Sequence, residues 1–200
     1  MCGTCVRTEQ YTSAKRIFFV TGERGVGKST FLTAVIEKFA LRPSGFITQK
    51  KDTEEQSFLY IHPVIDGVRH IRYSAENCVG ICRKPRPAGY VHVFDSYGVK
   101  VLHNAFQFIS QARNTEQQCI LMDELGTMES GANLFCGSVY RAFTAFSVIG
   151  TVKPEGTVFL PLLQKIPSVC VFRLTVENRM SLYKELKQAQ SFEEFLYAVR

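Results

Sequence analysis

Several features that would assign this 200-residue chain to a particular class of protein are missing from it. It contains no Trp, no internal repeat and no low-complexity segment. No apolar run reaches the roughly 20 residues that a membrane-spanning helix requires. The first residues also lack the apolar centre of a signal peptide. We therefore expect a cytoplasmic protein without a membrane attachment.

A disulfide framework is also not expected, because the seven cysteines are an odd number in a chain without secretory features. One cysteine pattern leaves an alternative open. Cys2 and Cys5, together with Cys78 and Cys82, could supply four thiolates to a structural zinc ion. The second pair has looser spacing than most zinc sites, so two ordinary thiols and a flexible N-terminal segment are the simpler interpretation. The remaining cysteines lie in apolar segments, which is typical of inert buried thiols: Cys119, Cys136 and Cys170.

The net charge of +6 does not by itself identify a partner. The basic residues are scattered, apart from the stretch RKPR at 83–86. A basic balance without a recognisable nucleic-acid-reading module is typical of a solvated surface. Binding to nucleic acid is therefore open but not favoured as the main function.

The segment TGERGVGKST at 21–30 contains the pattern G-x-x-x-x-G-K-[ST] of a phosphate-binding loop. The apolar run before it predicts a strand over 15–20, and the apolar spacing after it predicts a helix, as this loop requires. Lys28 is expected to reach the β- and γ-phosphates, and the Ser29 hydroxyl to bind Mg²⁺. The expected nucleotide-binding residues are Gly22, Glu23, Arg24, Gly25, Val26, Gly27, Lys28, Ser29 and Thr30.

Beyond this loop, the pattern alternates between strands and helices. Asp66-Gly67 predicts a β-hairpin between 57–65 and 68–74. The sequence RPSG at 42–45 is expected to break the chain, and 75–89 to form a loop that could act as a lid. Further strands are predicted at 46–50, 90–94, 118–122, 147–152 and 169–175, and helices at 101–112, 134–146 and 158–165, with two short ones at the C-terminus.

Such alternation requires right-handed crossovers and predicts an α/β fold, with a mostly parallel sheet covered by helices on both faces. We expect one P-loop NTPase domain over 15–200, with a β-hairpin insertion, after a flexible segment 1–14. Ligands in such sheets bind beyond the carboxyl ends of the strands. The side chains expected at that edge are Asp95, Asp123, Glu124, Thr151, Lys153, Asn178 and Arg179.

Two adjacent carboxylates follow the predicted strand CILM at 119–122. Asp123 is expected to hold Mg²⁺ through a water molecule, because Mg²⁺ keeps several waters and takes few carboxylates. Glu124 is expected to reach beyond the γ-phosphate and to orient and deprotonate an attacking water. This second carboxylate favours hydrolysis over phosphoryl transfer.

Five segments together resemble the signature blocks of the small stand-alone nucleoside-triphosphatases, whose human member is called cancer-related nucleoside-triphosphatase. The segments are GERGVGKS at 22–29, GFIT at 45–48, DELGTME at 123–129, IGT at 149–151 and LTVENR at 174–179. The resemblance covers roughly residues 15–180. It implies a RecA-like P-loop core, with an additional strand between the two nucleotide-binding strands, and slow Mg²⁺-dependent hydrolysis of several nucleoside triphosphates.

The chain departs from this family pattern at two places. Thr127 stands where the family usually has a Lys, and the charged residues that usually follow the GF-x-T block are replaced by Gln49, Lys50 and Lys51. The transition state needs a cation besides Lys28 and Mg²⁺. Arg179 is the first candidate, because it follows the last predicted strand. The reserve candidates are Lys153, Arg83 and Arg86.

The expected function is thus Mg²⁺-dependent hydrolysis of the γ-phosphate of ATP, GTP and other nucleoside triphosphates with low base selectivity. Two alternatives stay open. A nucleoside or small-molecule kinase would use the same loop together with Arg83 and Arg86. A switch protein would use hydrolysis to time its binding to a nucleic acid or a protein. The sequence does not indicate the preferred base or the oligomeric state.

Overall fold

Short apolar segments of the chain pair into one sheet in the computed structural model, which describes residues 15–83, 87–113, 116–167 and 169–199. The described residues form nine strands: β1 (Ile17–Thr21), β2 (Arg42–Asp52), β3 (Ser57–Ile65), β4 (Val68–Arg69), β5 (Cys78–Ile81), β6 (Ala88–Gly89), β7 (Gln118–Leu125), β8 (Val148–Val152) and β9 (Val169–Arg173). Their order is β6-β5-β3-β2-β7-β8-β1-β9, with β4 paired to β3. Five strands are parallel and lie side by side in the order β2-β7-β8-β1-β9. The other four, β3, β4, β5 and β6, are antiparallel and extend the sheet beyond β2.

Helices cover both faces of this sheet, as the alternating sequence pattern predicts. They are α1 (Lys28–Lys38), α2 (Val91–Val93), a π-helical segment (Phe94–Gly98), α3 (Val99–Gln111), α4 (Asn133–Ala145), α5 (Phe159–Leu163), α6 (Arg179–Gln188) and α7 (Phe192–Ala198), with a short 3-10 helix at Ala75–Asn77. In the described part of the chain, no helix has both the length and the apolar character needed to cross a membrane.

The two faces of β1 belong to different apolar cores, because successive side chains of a strand point in opposite directions. Ile17 and Phe19 join the core that packs against α3 and α4. Phe18 and Val20 join the core under α1, α6 and α7. All of β1 is buried, so the loop that follows it starts from a strand inside the molecule.

The predicted chain break at 42–45 is wrong, because these residues form the first part of β2. Pro43 fits there because its position is the second of the strand, before pairing with β3 begins at Gly45. Its carbonyl accepts the N–H of Gly67 at 2.7 Å. The Asp66-Gly67 hairpin is present, with φ of 52° and 82° as a type I′ turn requires. Its second strand, β4, is much shorter than the sequence predicts.

The strand predicted at 90–94 is also wrong, since these residues begin the helical stretch that continues into α3. Val93 and Phe94 are buried in the core under α3 and α4, and the Phe94 ring lies 5.2 Å from that of Phe135. Helical packing therefore overrides the β-branched composition of this segment. The additional strand between β1 and β7 exists, but it is β8.

The described residues of the segment 75–89 form regular elements and not the predicted loop. Its described residues form the 3-10 helix and strands β5 and β6, at the opposite edge of the sheet from β1. The four residues of β5 are all buried. Gly80 in this strand is a typical loop signal in the sequence. In the structure it pairs with the neighbouring strands β3 and β6. Residues 84–86 lie outside the described part of the chain.

Candidate active site at the carboxyl ends of beta1, beta7 and beta8

The loop between β1 and α1 has the backbone conformation of a phosphate-binding loop. Gly22, Gly25 and Gly27 have φ of 144°, 80° and 100°. Glycine is required at position 22 for a second reason, because a Cβ there would lie 2.3 Å from the carbonyl oxygen of Leu174. The loop thus ends at Lys28, the first residue of α1, with the helix amides directed toward it.

The Lys28 ammonium lies inside this loop and contacts the second half of the site. Its Nζ donates to the carbonyl oxygens of Gly22 at 3.0 Å and Glu23 at 3.2 Å. The same Nζ lies 3.3 Å from Oε1 of Glu124, and the Lys28 side chain is only 10% exposed. Lys28 and Glu124, which are 96 positions apart in the chain, are therefore in direct contact.

Asp123 connects the ends of three elements: α1, β7 and β8. Its Oδ1 accepts hydrogen bonds from the Ser29 hydroxyl at 3.1 Å and from the Thr151 hydroxyl at 2.6 Å. Burial raises the pKa of Asp123 above its ordinary value, and the two hydroxyl donors partly oppose that rise. A nearby cation would favour the charged carboxylate in this place.

Glu124 follows Asp123 through a cis peptide bond. Its backbone N–H donates to the Thr48 hydroxyl at 3.2 Å, which connects the end of β7 to β2. The carboxylate is partly open to solvent, with 28% of the side chain exposed. It can therefore contact both Lys28 and a water molecule. Thr48 lies in the GFIT block, but nothing in that block predicts this role.

Ser29 and Asp123 have the donor chemistry that suits Mg²⁺. A hydroxyl and a carboxylate are hard oxygen ligands, which Mg²⁺ prefers. No group of three or more His, Cys, Asp or Glu residues that could hold a metal exists in the described part of the chain. A metal ion at this place would therefore take its other ligands from phosphate and water, which is the usual Mg²⁺ arrangement.

The cysteines of the zinc alternative give no support to it where they are described. Cys78 is buried in β5, and Cys82 is half-buried. Cys2 and Cys5 lie outside the described residues. Burial raises the pKa of the Cys119 thiol to about 12, and it also raises the pKa of Cys136. Both thiols stay protonated and unreactive at neutral pH.

Glu129 is a buried carboxylate near the site, and the sequence analysis assigns it no role. It is 4% exposed and accepts the N–H of Gly126, so it closes the turn that follows Glu124. Burial raises its pKa, while the hydrogen bond from Gly126 and the charge of Lys153 act in the opposite direction. Lys153 follows β8 and extends along Gly126, so this reserve cation lies beside the turn.

The other predicted cations lie farther out. Arg179 begins α6 and is exposed, and its side chain makes no hydrogen bond or ion pair with the described residues. Asn178 shapes the loop before it, accepting the Thr175 N–H at 2.8 Å. Arg83 is exposed beyond β5, at the far edge of the sheet. Arg86 lies outside the described residues.

The strand expected before Asp95 is helical, so Asp95 does not follow the end of a strand. Its Oδ1 instead accepts the backbone N–H of Phe135 at 3.0 Å, in the first turn of α4. The carboxylate thus satisfies one of the free amides of that helix. Its role is structural.

The three substituted positions after GFIT also have local partners. Gln49 Oε1 accepts the Tyr73 hydroxyl at 2.8 Å, and Lys51 lies 4.8 Å from the centre of the Tyr73 ring. Lys50 pairs with Asp52 at 2.6 Å. These contacts belong to the sheet extension.

Comparison with known proteins identifies relatives over nearly the whole chain. Residues 17–187 match the family model described as NTPase. The nucleoside-triphosphatase THEP1 of Thermotoga petrophila is 27% identical over 178 residues, covering 86% of this chain and 92% of the relative. The mouse cancer-related nucleoside-triphosphatase homolog is 26% identical over 183 residues, covering 86% and 94%. The crystal structure of THEP1 from Aquifex aeolicus superposes with a TM-score of 0.62 at 22% identity, covering 86% and 96%, which shows a shared P-loop NTPase fold.

Proposed function

This chain belongs to the NTPase family of nucleoside-triphosphate hydrolases, and from that premise we propose that it hydrolyses the γ-phosphate of ATP, GTP and other nucleoside triphosphates with Mg²⁺. The observation that carries the proposal is the position of Glu124. Its carboxylate lies 3.3 Å from the Lys28 ammonium, beside the Ser29–Asp123 pair. One group that binds phosphate, one pair that suits a metal and one carboxylate that can take a proton thus lie together.

In the proposed reaction, the loop amides and Lys28 hold the β- and γ-phosphates. Mg²⁺, when bound at Ser29 and Asp123, would neutralise charge on the phosphate oxygens. Glu124 accepts a proton from a water molecule whose oxygen forms a bond to the γ-phosphorus. The bond between the γ-phosphorus and the bridging oxygen breaks, and its electron pair stays on the departing nucleoside diphosphate. The other product is inorganic phosphate.

Several neighbouring groups hold this arrangement in place. Thr151 orients Asp123, Thr48 holds the backbone of Glu124, and Glu129 closes the turn behind it. We assign the additional positive charge for the transition state to Arg179, whose long side chain is unpaired among the described residues and exposed at the same edge.

The proposed low base selectivity is supported by the kind of groups that the site contains. The proposed reaction would use contacts to phosphate, metal and water, and none of these depends on the base of the nucleoside triphosphate. The test is a panel of the common nucleoside triphosphates, assayed for released phosphate with and without Mg²⁺ and with no acceptor present. We expect release from each of them only with Mg²⁺. Release from none of them, or a strict need for an acceptor, would reject the proposal.

A further inference from the structure

An open groove of about 470 Å³ leads away from the metal side of the proposed active site. Its inner end is formed by Ser29, Thr48 and Asp123, which also belong to that site. Its outer part is lined by Thr33 from α1, Gln49 from β2 and Arg69 from β4. The proposed hydrolysis uses only the inner end of the groove, so the outer part has no assigned function.

Arg69 supplies the positive charge of this groove from a well-braced hairpin. Arg69 pairs with Val64 across the β3–β4 ladder. The hairpin is held to β2 by the hydrogen bond from Gly67 to Pro43, and His70 N–H donates to Pro63 O at 2.9 Å. Such bracing presents a long side chain from a nearly fixed position.

The Arg69 guanidinium is directed into the groove and is not neutralised by a close carboxylate. Its Nη2 donates to the Thr33 hydroxyl at 3.3 Å, and it forms no ion pair with a carboxylate in the described part of the chain. By comparison, Arg16, Arg42 and Arg173 each lie within 4 Å of an acidic side chain.

We propose that the outer groove is a subsite for a phosphate group and that Arg69 binds its oxygens, with hydroxyl support from Thr33. A guanidinium matches the geometry of phosphate through two parallel N–H donors. The inference rests on the proposed function, because the nearest source of such a group is the phosphate that hydrolysis releases beside Asp123. The other source is the phosphate of a second, phosphorylated molecule that enters the groove from solvent.

Binding of inorganic phosphate tests the subsite without turnover. It is measured by calorimetric titration of the full chain carrying Glu124→Gln, in the presence of ADP and with or without Mg²⁺. Arg69→Ala should weaken phosphate binding about tenfold or more, and Arg69→Lys by less, because it keeps the charge and loses the paired donors. Equal phosphate affinity with and without Arg69, or no phosphate binding to the parent, would overturn the subsite.

Two further variants sharpen the result. Arg72→Ala is the matched control, because Arg72 is exposed on the same extension and does not line the groove; a loss equal to that of Arg69→Ala would also overturn the proposal. Glu37 lines the groove as well, so Glu37→Gln should tighten phosphate binding by about twofold to threefold through loss of repulsion. Weaker binding in that variant would contradict an anion site.

Labelled γ-phosphate separates the two sources and tests the underlying function. Label found only as free phosphate, with phosphate inhibition that Arg69→Ala relieves, identifies the product as the occupant. Label found on an added nucleoside monophosphate identifies a phosphorylated acceptor, and the subsite stands in either case. If no nucleotide is hydrolysed but phosphate still binds through Arg69, the proposed hydrolysis fails and the subsite remains.

Discussion

At the scale of single residues, Glu124 distinguishes water attack from simple nucleotide binding. Its carboxylate is the acidic group that contacts Lys28 while part of it stays open to solvent. Glu124→Gln keeps the size and the hydrogen-bonding oxygen but cannot take a proton. We expect kcat to fall by roughly two to four orders of magnitude, with nucleotide affinity little changed.

Steady-state phosphate release and equilibrium titration with nucleotide measure these two quantities separately. Glu185→Gln is the control, since Glu185 is an exposed carboxylate on α6. Turnover in the Glu124 variant that matches this control would remove Glu124 from the mechanism.

The second residue prediction concerns Glu129, whose pKa is raised by burial above its ordinary value of 4.5. The folded state then holds its proton to a higher pH than the unfolded state does. Stability falls as the pH rises from the ordinary value through the raised one, and the penalty is complete above it. Glu129→Gln has no charge to bury, so it should gain stability relative to the wild type as the pH increases.

Urea unfolding of both proteins at about pH 4 and about pH 7.5 gives the difference in the free energy of unfolding at each pH. The other titrating groups largely cancel in that difference. A difference that is the same at both pH values would show that Glu129 titrates normally.

The sequence predicted the residues proposed to bind phosphate, metal and water, but it did not predict the residues that support them. Lys28, Ser29, Asp123 and Glu124 belong to recognisable motifs, and the structure brings them together. The supporting Thr48 and the groove residue Arg69 come from other strands. Their contacts depend on which strands become neighbours, and local sequence does not contain that information.

At the scale of elements, the short helix α7 depends on its first residue. The Ser191 hydroxyl accepts the Glu194 N–H at 3.1 Å and so caps the first turn of the helix. This helix places Phe195 against Phe18 and Phe31 in the core under α1. Ser191→Ala should lower the free energy of unfolding by about 0.5–2 kcal/mol.

Chemical denaturation measures this loss, and Ser130→Ala, at an exposed serine in the turn before α4, is the comparison. A loss no larger than that of the comparison would mean that α7 is held by its apolar contacts alone.

Elements were predictable where one local signal dominated. The apolar run before the phosphate loop predicts β1, and the Asp66-Gly67 pair predicts the turn after β3. The strand prediction for 90–94 is wrong because the β-branched and aromatic residues of this segment suit a strand and a buried helix equally. Its helical state is decided by packing against Phe135, which is more than forty positions farther along the chain.

At the scale of the whole molecule, the proposed site joins one of the helical layers to the sheet that it covers. Its residues come from α1 on one side and from the ends of β7 and β8 at the centre of the sheet. The order of β7, β8 and β1 also explains how a site made of remote segments is assembled, because parallel neighbours present their carboxyl ends together.

A nucleotide bound across these elements should therefore stabilise the folded chain as one unit. A ligand that binds only the folded state adds about 2.7 kcal/mol at 100 times its Kd. Lys28 contacts both the loop and Glu124, so Lys28→Ala should lose most of the rise in Tm that ATP and Mg²⁺ produce. Glu124→Gln should keep that rise, because it removes proton transfer and leaves the phosphate contacts. Thermal unfolding at increasing nucleotide concentration measures the effect, with Lys184→Ala, an exposed lysine on α6, as control. An equal rise in Tm for Lys28→Ala and this control would place the nucleotide elsewhere on the molecule.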